Sequence, residues 1–255
     1  MRAPQIGSCL VVVGGLDPGG GAGLLRDVLT ARARGAQPIA VGTAWTEQGD
    51  GIHEIEPRAA NALRAALARA VASGPSAVKI GMVPDAACAE AIEAGLSGYT
   101  GAVVFDPVLK TSRGGALFRG EPSGLRGLLR RATLVTPNAA EAEALTGRRV
   151  VTVDDAAKAA AALVQAGIAA ALVKGGHVAG SEAIDVLATS TEVNRFAHAR
   201  VGGGDVRGTG CALATAIAVE LARGASLTDA IDAATAWLVD ALGRAINVGH
   251  ERHLP

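Results

Sequence analysis

Aromatic side chains are scarce: three Phe, two Trp and one Tyr in 255 residues. That argues against a stacking platform for single-stranded nucleic acid. A charge excess is missing too, since 24 basic residues balance 24 acidic ones. No nucleic acid or anionic membrane surface is therefore expected as a partner. The three cysteines, Cys9, Cys88 and Cys211, are far apart and form no CxxC pair. Such a set suits neither a disulfide framework nor a zinc site, and it suggests a reduced, cytoplasmic setting. No apolar run is long enough to span a membrane, and the opening MRAPQIGS has no signal core. Lysine is rare as well. None of Lys79, Lys110, Lys158 and Lys174 follows a glycine, so the GxxxxGK[ST] phosphate loop is absent. A nucleotide, if bound, must be held some other way.

What the chain does have is alternation. Short apolar runs at Cys9–Val13, Pro38–Thr43, Ala77–Ile80, Ala102–Phe105, Leu134–Val135 and Ala170–Lys174 read as strands. Alanine-rich amphipathic stretches read as helices at Ala22–Arg34, Arg58–Ala72, Asp85–Ala94, Ala139–Leu145, Asp154–Ala166, Cys211–Arg223 and Leu227–Ile246. Continuously apolar strands are usually covered on both faces, so a mostly parallel, doubly wound α/β sheet is expected. Ala183–Leu187 and Glu192–Ala197 read as an antiparallel hairpin at one edge. With no repeat or low-complexity linker, residues 1–255 read as one domain. Ligands of such sheets sit beyond the carboxyl ends of the strands. The distinctive residues do follow strands.

Two glycine-rich loops stand out. One is GGLDPGGGAG, Gly14–Gly23, with Asp17 near its centre, where a carboxylate can meet a ligand hydroxyl or amine. The plainer reading of Asp17 is a turn residue. The other is GGGDVRGTGC, Gly202–Cys211, which opens a helix. The amides of Gly208, Thr209, Gly210 and Cys211 can converge on a small anion there. The plainer reading is an ordinary glycine loop feeding a helix. A thiol at that helix mouth is expected to have a lowered pKa, able to act as base or nucleophile. Its plainer reading, and the default for Cys9 and Cys88, is a small buried hydrophobe.

Asn138 and Glu141, in TPNAAE, have the spacing of a helix capping box, and spacing alone favours that role. Glu141 and Asp106 are also oxygen donors of the kind Mg2+ prefers. Lys174, in VKGGH, could reach a phosphate chain, and His177 reads as structural. The final GHERH has an HxxH spacing, but reads as a solvated tail rather than a metal site.

Together GLDPGGGAG, AVKIGM, FDPVL, TPNAAEAEALTG, LVKGGH and GTGCALATAIAVELARG run nearly end to end. In that order they resemble the hydroxymethylpyrimidine/phosphomethylpyrimidine kinases of thiamine biosynthesis, within the ribokinase-like superfamily. The resemblance implies a three-layer α/β/α fold with a mostly parallel central sheet. It implies phosphorylation of 4-amino-5-hydroxymethyl-2-methylpyrimidine and of its monophosphate, with ATP and Mg2+. Gly208–Cys211 then match the family's anion hole, with Cys211 in place of the aspartate base of sugar kinases. Asp17, Gln48, Met82 and Val108 match the pyrimidine pocket. Asn138 and Lys174 match the ATP side, and Glu141 and Asp106 the Mg2+ side. A homodimer is a further expectation of the resemblance.

Three positions depart from the family pattern: Gly19 for a usual serine, Arg207 for a histidine before GTGC, and Ala212 for a threonine after it. An arginine at 207 could assist phosphate directly. A pyridoxal kinase on the same scaffold and a non-catalytic pyrimidine- or nucleotide-binding paralogue are the competing readings.

Overall fold

A computed structural model describes residues 8–48, 52–111, 114–176, 182–202 and 204–255, with the backbone alone at Glu47, Gln48, Ile52 and His53. Nine strands form the central sheet: β1 (Cys9–Leu16), β2 (Gln37–Gln48), β3 (Ile52–Pro57), β4 (Ala77–Ile80), β5 (Ala102–Phe105), β6 (Leu134–Val135), β7 (Ala170–Val173), β8 (Glu182–Thr189) and β9 (Val193–Ala199). Their spatial order is β3-β2-β1-β4-β5-β6-β7-β8-β9. The six strands from β2 to β7 are parallel; β3, β8 and β9 add antiparallel margins.

Alternation along each strand assigns side chains to opposite faces. Val11, Val13, Val78, Ile80, Val103 and Phe105 join one core. It is covered by α2 (Ala60–Ala72), α3 (Ala86–Gly95), α4 (Arg126–Arg131), α5 (Ala139–Thr146) and α6 (Val153–Gln165). Leu10, Val12, Ala77, Val104 and Leu172 face the other core, under α1 (Gly23–Ala33), α7 (Thr209–Ala222) and α8 (Leu227–Gly243). Parallel strands sandwiched this way need no polar face, which is why they read as unbroken apolar runs. Helix α7 is buried without interruption from Ala212 to Val219. No helix among the described residues is long and apolar enough to cross a membrane.

The six strands expected from the sequence all form, as does the β8–β9 hairpin. Strand β2 runs on past Thr43 to Gln48 and pairs with β3, which the sequence reading did not anticipate. Two expectations at the C-terminus are corrected. The last helix ends at Gly243 rather than Ile246. The supposed solvated tail is structured: β10 (Val206–Arg207), β11 (Ile246–Val248) and β12 (Glu251–His253) form a small sheet in the order β10-β12-β11. Arg26 of α1 donates to the carbonyls of Leu254 (2.9 Å) and Pro255 (3.2 Å), and His253 and Leu254 are buried. Those partners lie more than 220 residues away in the chain, beyond any local pattern.

Candidate active site

The carboxyl ends of β1, β4, β5, β6 and β7 and the start of α7 converge on one region. Gly208 ends the run into α7 in the left-handed region, at φ 77 and ψ 12. A methyl group there would lie 2.2 Å from the Gly21 carbonyl oxygen, so the two glycine loops interlock only with hydrogen at this position. No side chain caps α7. Its first amides, at Thr209, Gly210 and Cys211, lie at the positive end of a fourteen-residue helix.

Lys174 and Asp106 stand beside these amides. A methyl group on Gly210 would lie 3.1 Å from Lys174 Nζ and 3.9 Å from Asp106 Oδ2. Lys174 donates to Asp106 Oδ1 at 2.6 Å, and Thr136 donates to the same oxygen at 3.0 Å. Burial alone would lower the Lys174 ammonium, but the Asp106 and Glu141 carboxylates reverse this and hold it above its ordinary value.

The capping box at α5 is complete. The Asn138 amide donates to Glu141 Oε2 at 2.8 Å, and the Glu141 amide donates to Asn138 Oδ1 at 2.9 Å. The capping role favoured by spacing therefore holds, and Asn138 also bridges to Lys174 across the strand ends. Burial pushes the Glu141 carboxyl up to about 7, with Asp106 adding to the rise and Lys174 opposing it.

Cys211 corrects a sequence expectation. Its thiol is pushed up to about 11, not down. Burial is the main cause, and the nearby carboxylates of Asp27 and Asp106 add to it. Lys79 and a hydrogen bond from the Gly23 amide oppose the rise without overcoming it. The helix-terminus rule assumes a solvated thiol; here desolvation outweighs the dipole.

The other sequence-selected residues lie towards β1. Asp17 is buried: Gly19 N–H donates to its Oδ1 at 3.1 Å, and Arg207 Nη2 to its Oδ2 at 2.9 Å. Arg207 Nη1 grips both Glu251 oxygens at 3.1 and 2.9 Å, so this guanidinium is tied to carboxylates on two sides. Its expected phosphate role has no support in this arrangement. Met82 is buried with Ala44, Ile55 and Leu117, and Val108 packs on that cluster. Gln48 ends β2, and its side chain lies outside the described set, as does all of His177. Cys88 is buried and Cys9 half-buried, in keeping with the default for Cys88 and less so for Cys9.

Sequence reading missed one group altogether. Lys79, fully buried on β4, donates to both oxygens of Asp27 on α1 at 2.8 and 2.7 Å, and Thr215 on α7 donates to Asp27 Oδ1 at 2.8 Å. The available signal was a lysine at an inward-facing strand position, sharing a face with Ala77.

Known proteins share the sequence pattern and the fold. The chain is 37% identical to the hydroxymethylpyrimidine/phosphomethylpyrimidine kinase of Rhizobium meliloti (strain 1021), over 94% of this chain and 93% of that protein. It is 36% identical to the enzyme of the same name from Streptomyces coelicolor, over 94% and 90%. Among solved structures, the phosphomethylpyrimidine kinase of Clostridium difficile 630 overlays with a TM-score of 0.78 at 30% identity, covering 92% of this chain and 99% of that one. An ADP complex of Bacillus subtilis pyridoxal kinase overlays with a TM-score of 0.87 at 25% identity, covering 97% and 96%. The three-layer ribokinase-like architecture implied by the motifs is thus the one present. Residues 17–255 match the phosphomethylpyrimidine kinase family, and with relatives this similar along nearly the whole length, the chain belongs to that family.

Proposed function

We propose that residues 1–255 act as one kinase domain. It transfers the γ-phosphoryl group of ATP to the hydroxymethyl oxygen of 4-amino-5-hydroxymethyl-2-methylpyrimidine, and then phosphorylates the monophosphate, within thiamine biosynthesis. The supporting observation is the meeting at Gly210 of the α7 amides, the Lys174–Asp106 pair and the neighbouring Cys211. Phosphoryl transfer asks the protein mainly for positioning and charge stabilisation, which amides and an ammonium supply. In this reading the amides of Gly208, Thr209, Gly210 and Cys211 hold the migrating phosphoryl group. Lys174 and Asn138 face the ATP phosphates. Met82 and Val108 form the apolar wall of the acceptor pocket, with Asp17 and Gln48 as its polar side. The Cys211 sulfur, in its thiolate form, takes the proton of the acceptor alcohol as its oxygen bonds to phosphorus and the bond to ADP breaks.

Mg2+ fits the donor set. Among the described residues no three His, Cys, Asp or Glu side chains gather as a complete protein cage. Asp106 and Glu141 offer two carboxylates, and Mg2+ ordinarily completes its shell with water and substrate phosphates. These two residues would hold the ion directly or through water, and it would supply positive charge to the phosphate oxygens. A cytoplasmic location and a homodimer belong to the same reading.

The test is an ADP-release assay run with the pyrimidine, its monophosphate and pyridoxal. Pyridoxal is the second reading, favoured by the 0.87 overlay with a pyridoxal kinase. Turnover with pyridoxal and not with the pyrimidine would reverse the assignment. Cys211→Ala should lower kcat by about 10²–10⁴ if the sulfur is the base. With the thiol at about 11, wild-type kcat should climb from pH 7 to 9, and the alanine variant should lack that slope. An unchanged kcat and slope in Cys211→Ala would remove the sulfur from the mechanism.

A further inference from the structure

The buried trio Lys79, Asp27 and Thr215 has no part in the reaction above, yet it lies directly behind it. The Lys79 ammonium and Asp27 carboxylate are 0% and 1% exposed. Taking two charges out of water costs several kcal/mol per ion, and well-packed apolar residues often serve stability as well or better. Retention of such a pair calls for another use.

Its placement supplies one. Thr215 lies four residues after Cys211, one turn deeper on the same face of α7. Asp27 lies on α1, whose first residue, Gly23, donates to the Cys211 sulfur. Lys79 projects from β4 into the layer that holds α1 and α7. A methyl group on Gly81 would lie 2.8 Å from Lys79 Nζ and 3.8 Å from Asp27 Oδ2, and one on Gly14 would lie 3.7 Å from that same oxygen. Each of these glycines is followed by a partner in one close contact: a methyl group on Gly15 would lie 2.3 Å from the sulfur of Met82. The trio therefore ties α7, α1 and β4 together immediately behind Gly14 and Gly81.

We propose that Lys79 is a positioning residue for phosphoryl transfer: through Asp27 and Thr215 it fixes the first turns of α7, and with them the Cys211 sulfur and the anion-binding amides, relative to the acceptor pocket. The inference rests on the kinase reading above. The charged groups around the sulfur are Lys79 on β4, Asp27 and Arg26 on α1, Asp106 after β5 and Lys174 after β7. Of the charges acting on the thiol, Lys79 has the largest effect, and it favours the thiolate.

The experiment uses the full chain with Cys9 and Cys88 replaced by alanine. Iodoacetamide alkylation of Cys211 is followed against pH, beside steady-state kinetics. The pair Lys79→Met/Asp27→Asn removes both charges while leaving an oxygen for Thr215. Its alkylation midpoint should rise, because the effect of Lys79, which favours the thiolate, outweighs that of Asp27, which opposes it. Its kcat should fall by more than its KM for ATP changes. Thr215→Val, which cuts only the α7 end, should lower kcat by about three- to tenfold with cooperative unfolding intact, roughly the loss of one hydrogen bond. A folded double variant with unmoved midpoint and kcat overturns the proposal. If the pair does not fold, an unchanged kcat and midpoint in Thr215→Val does so. Alkylation needs no turnover, so failure of the kinase reading would show separately, as no ADP release with any acceptor from the unaltered chain.

Discussion

Two Lys–Asp pairs flank the start of α7, one joining β4 to α1 and the other joining the ends of β5 and β7, and they differ in one respect. Lys79–Asp27 is sealed, at 0% and 1% exposure, and its third partner is another protein side chain, Thr215. Lys174–Asp106 is open on the lysine side, at 13% and 2%, and faces the amides of a helix start. The chemistry of the two pairs is the same. Access differs, and access decides what each can do. A closed pair can brace and polarise its surroundings, whereas an open pair can also meet a ligand. Both lysines are held above their ordinary value by their carboxylates, against burial, which alone would lower them.

Breaking the closed pair should have the largest effect on folding. Lys79→Met leaves Asp27 buried without its cation and should destabilise the protein by about 3–5 kcal/mol in urea unfolding. A loss below about 1 kcal/mol would mean that Asp27 is reached by water after all. Breaking the open pair should instead show in catalysis. Lys174→Met should reduce kcat/KM for ATP by about 10²–10³, the usual consequence of removing one preorganised donor. If its main effect were on unfolding, the contrast between the two pairs would collapse.

Glu141 sharpens the contrast from the acid side. Its carboxyl rises in the folded state from an ordinary 4.5 to about 7. A group whose pKa is raised on folding gives its full stabilisation below the unfolded value and loses it as pH climbs through the folded one. Metal-free wild type should therefore lose stability between about pH 4.5 and 7, and Glu141→Gln should flatten that part of the curve. Parallel curves for the two proteins in urea unfolding would refute the assignment. The smallest effect is expected at Arg244–Asp240, where the side chains are 58% and 67% exposed. Asp240→Asn should change stability by under about 0.5 kcal/mol.

The sequence made the central sheet legible because buried parallel strands carry their pattern within four or five residues, as in AVKI or AVVF. It made Asn138–Glu141 legible because a capping box is local. It could not reveal what depends on distant partners. Strand β3, IHEIEP, has no two-residue apolar period over its six positions and is defined by pairing with β2. The C-terminal strands are ordered by Arg26 and Arg207, and the Lys79–Asp27 pair spans 52 residues. Cys211 does lie in the first turn of α7, but its pKa is raised and not lowered, because burial depth is a property of the packed helix and not of its first four letters.

The strand order has one last implication. The chain leaves β1 in one direction to lay down β2 and β3, then crosses back to place β4 on the opposite side and builds outward from there. Candidate recognition groups for the alcohol come chiefly from the first excursion and its return, those for the nucleotide from the later strands. On the proposed reading, edits on one flank would retune the choice of acceptor while the other flank kept its grip on the phosphate donor, an arrangement suited to a scaffold shared by kinases of different small molecules.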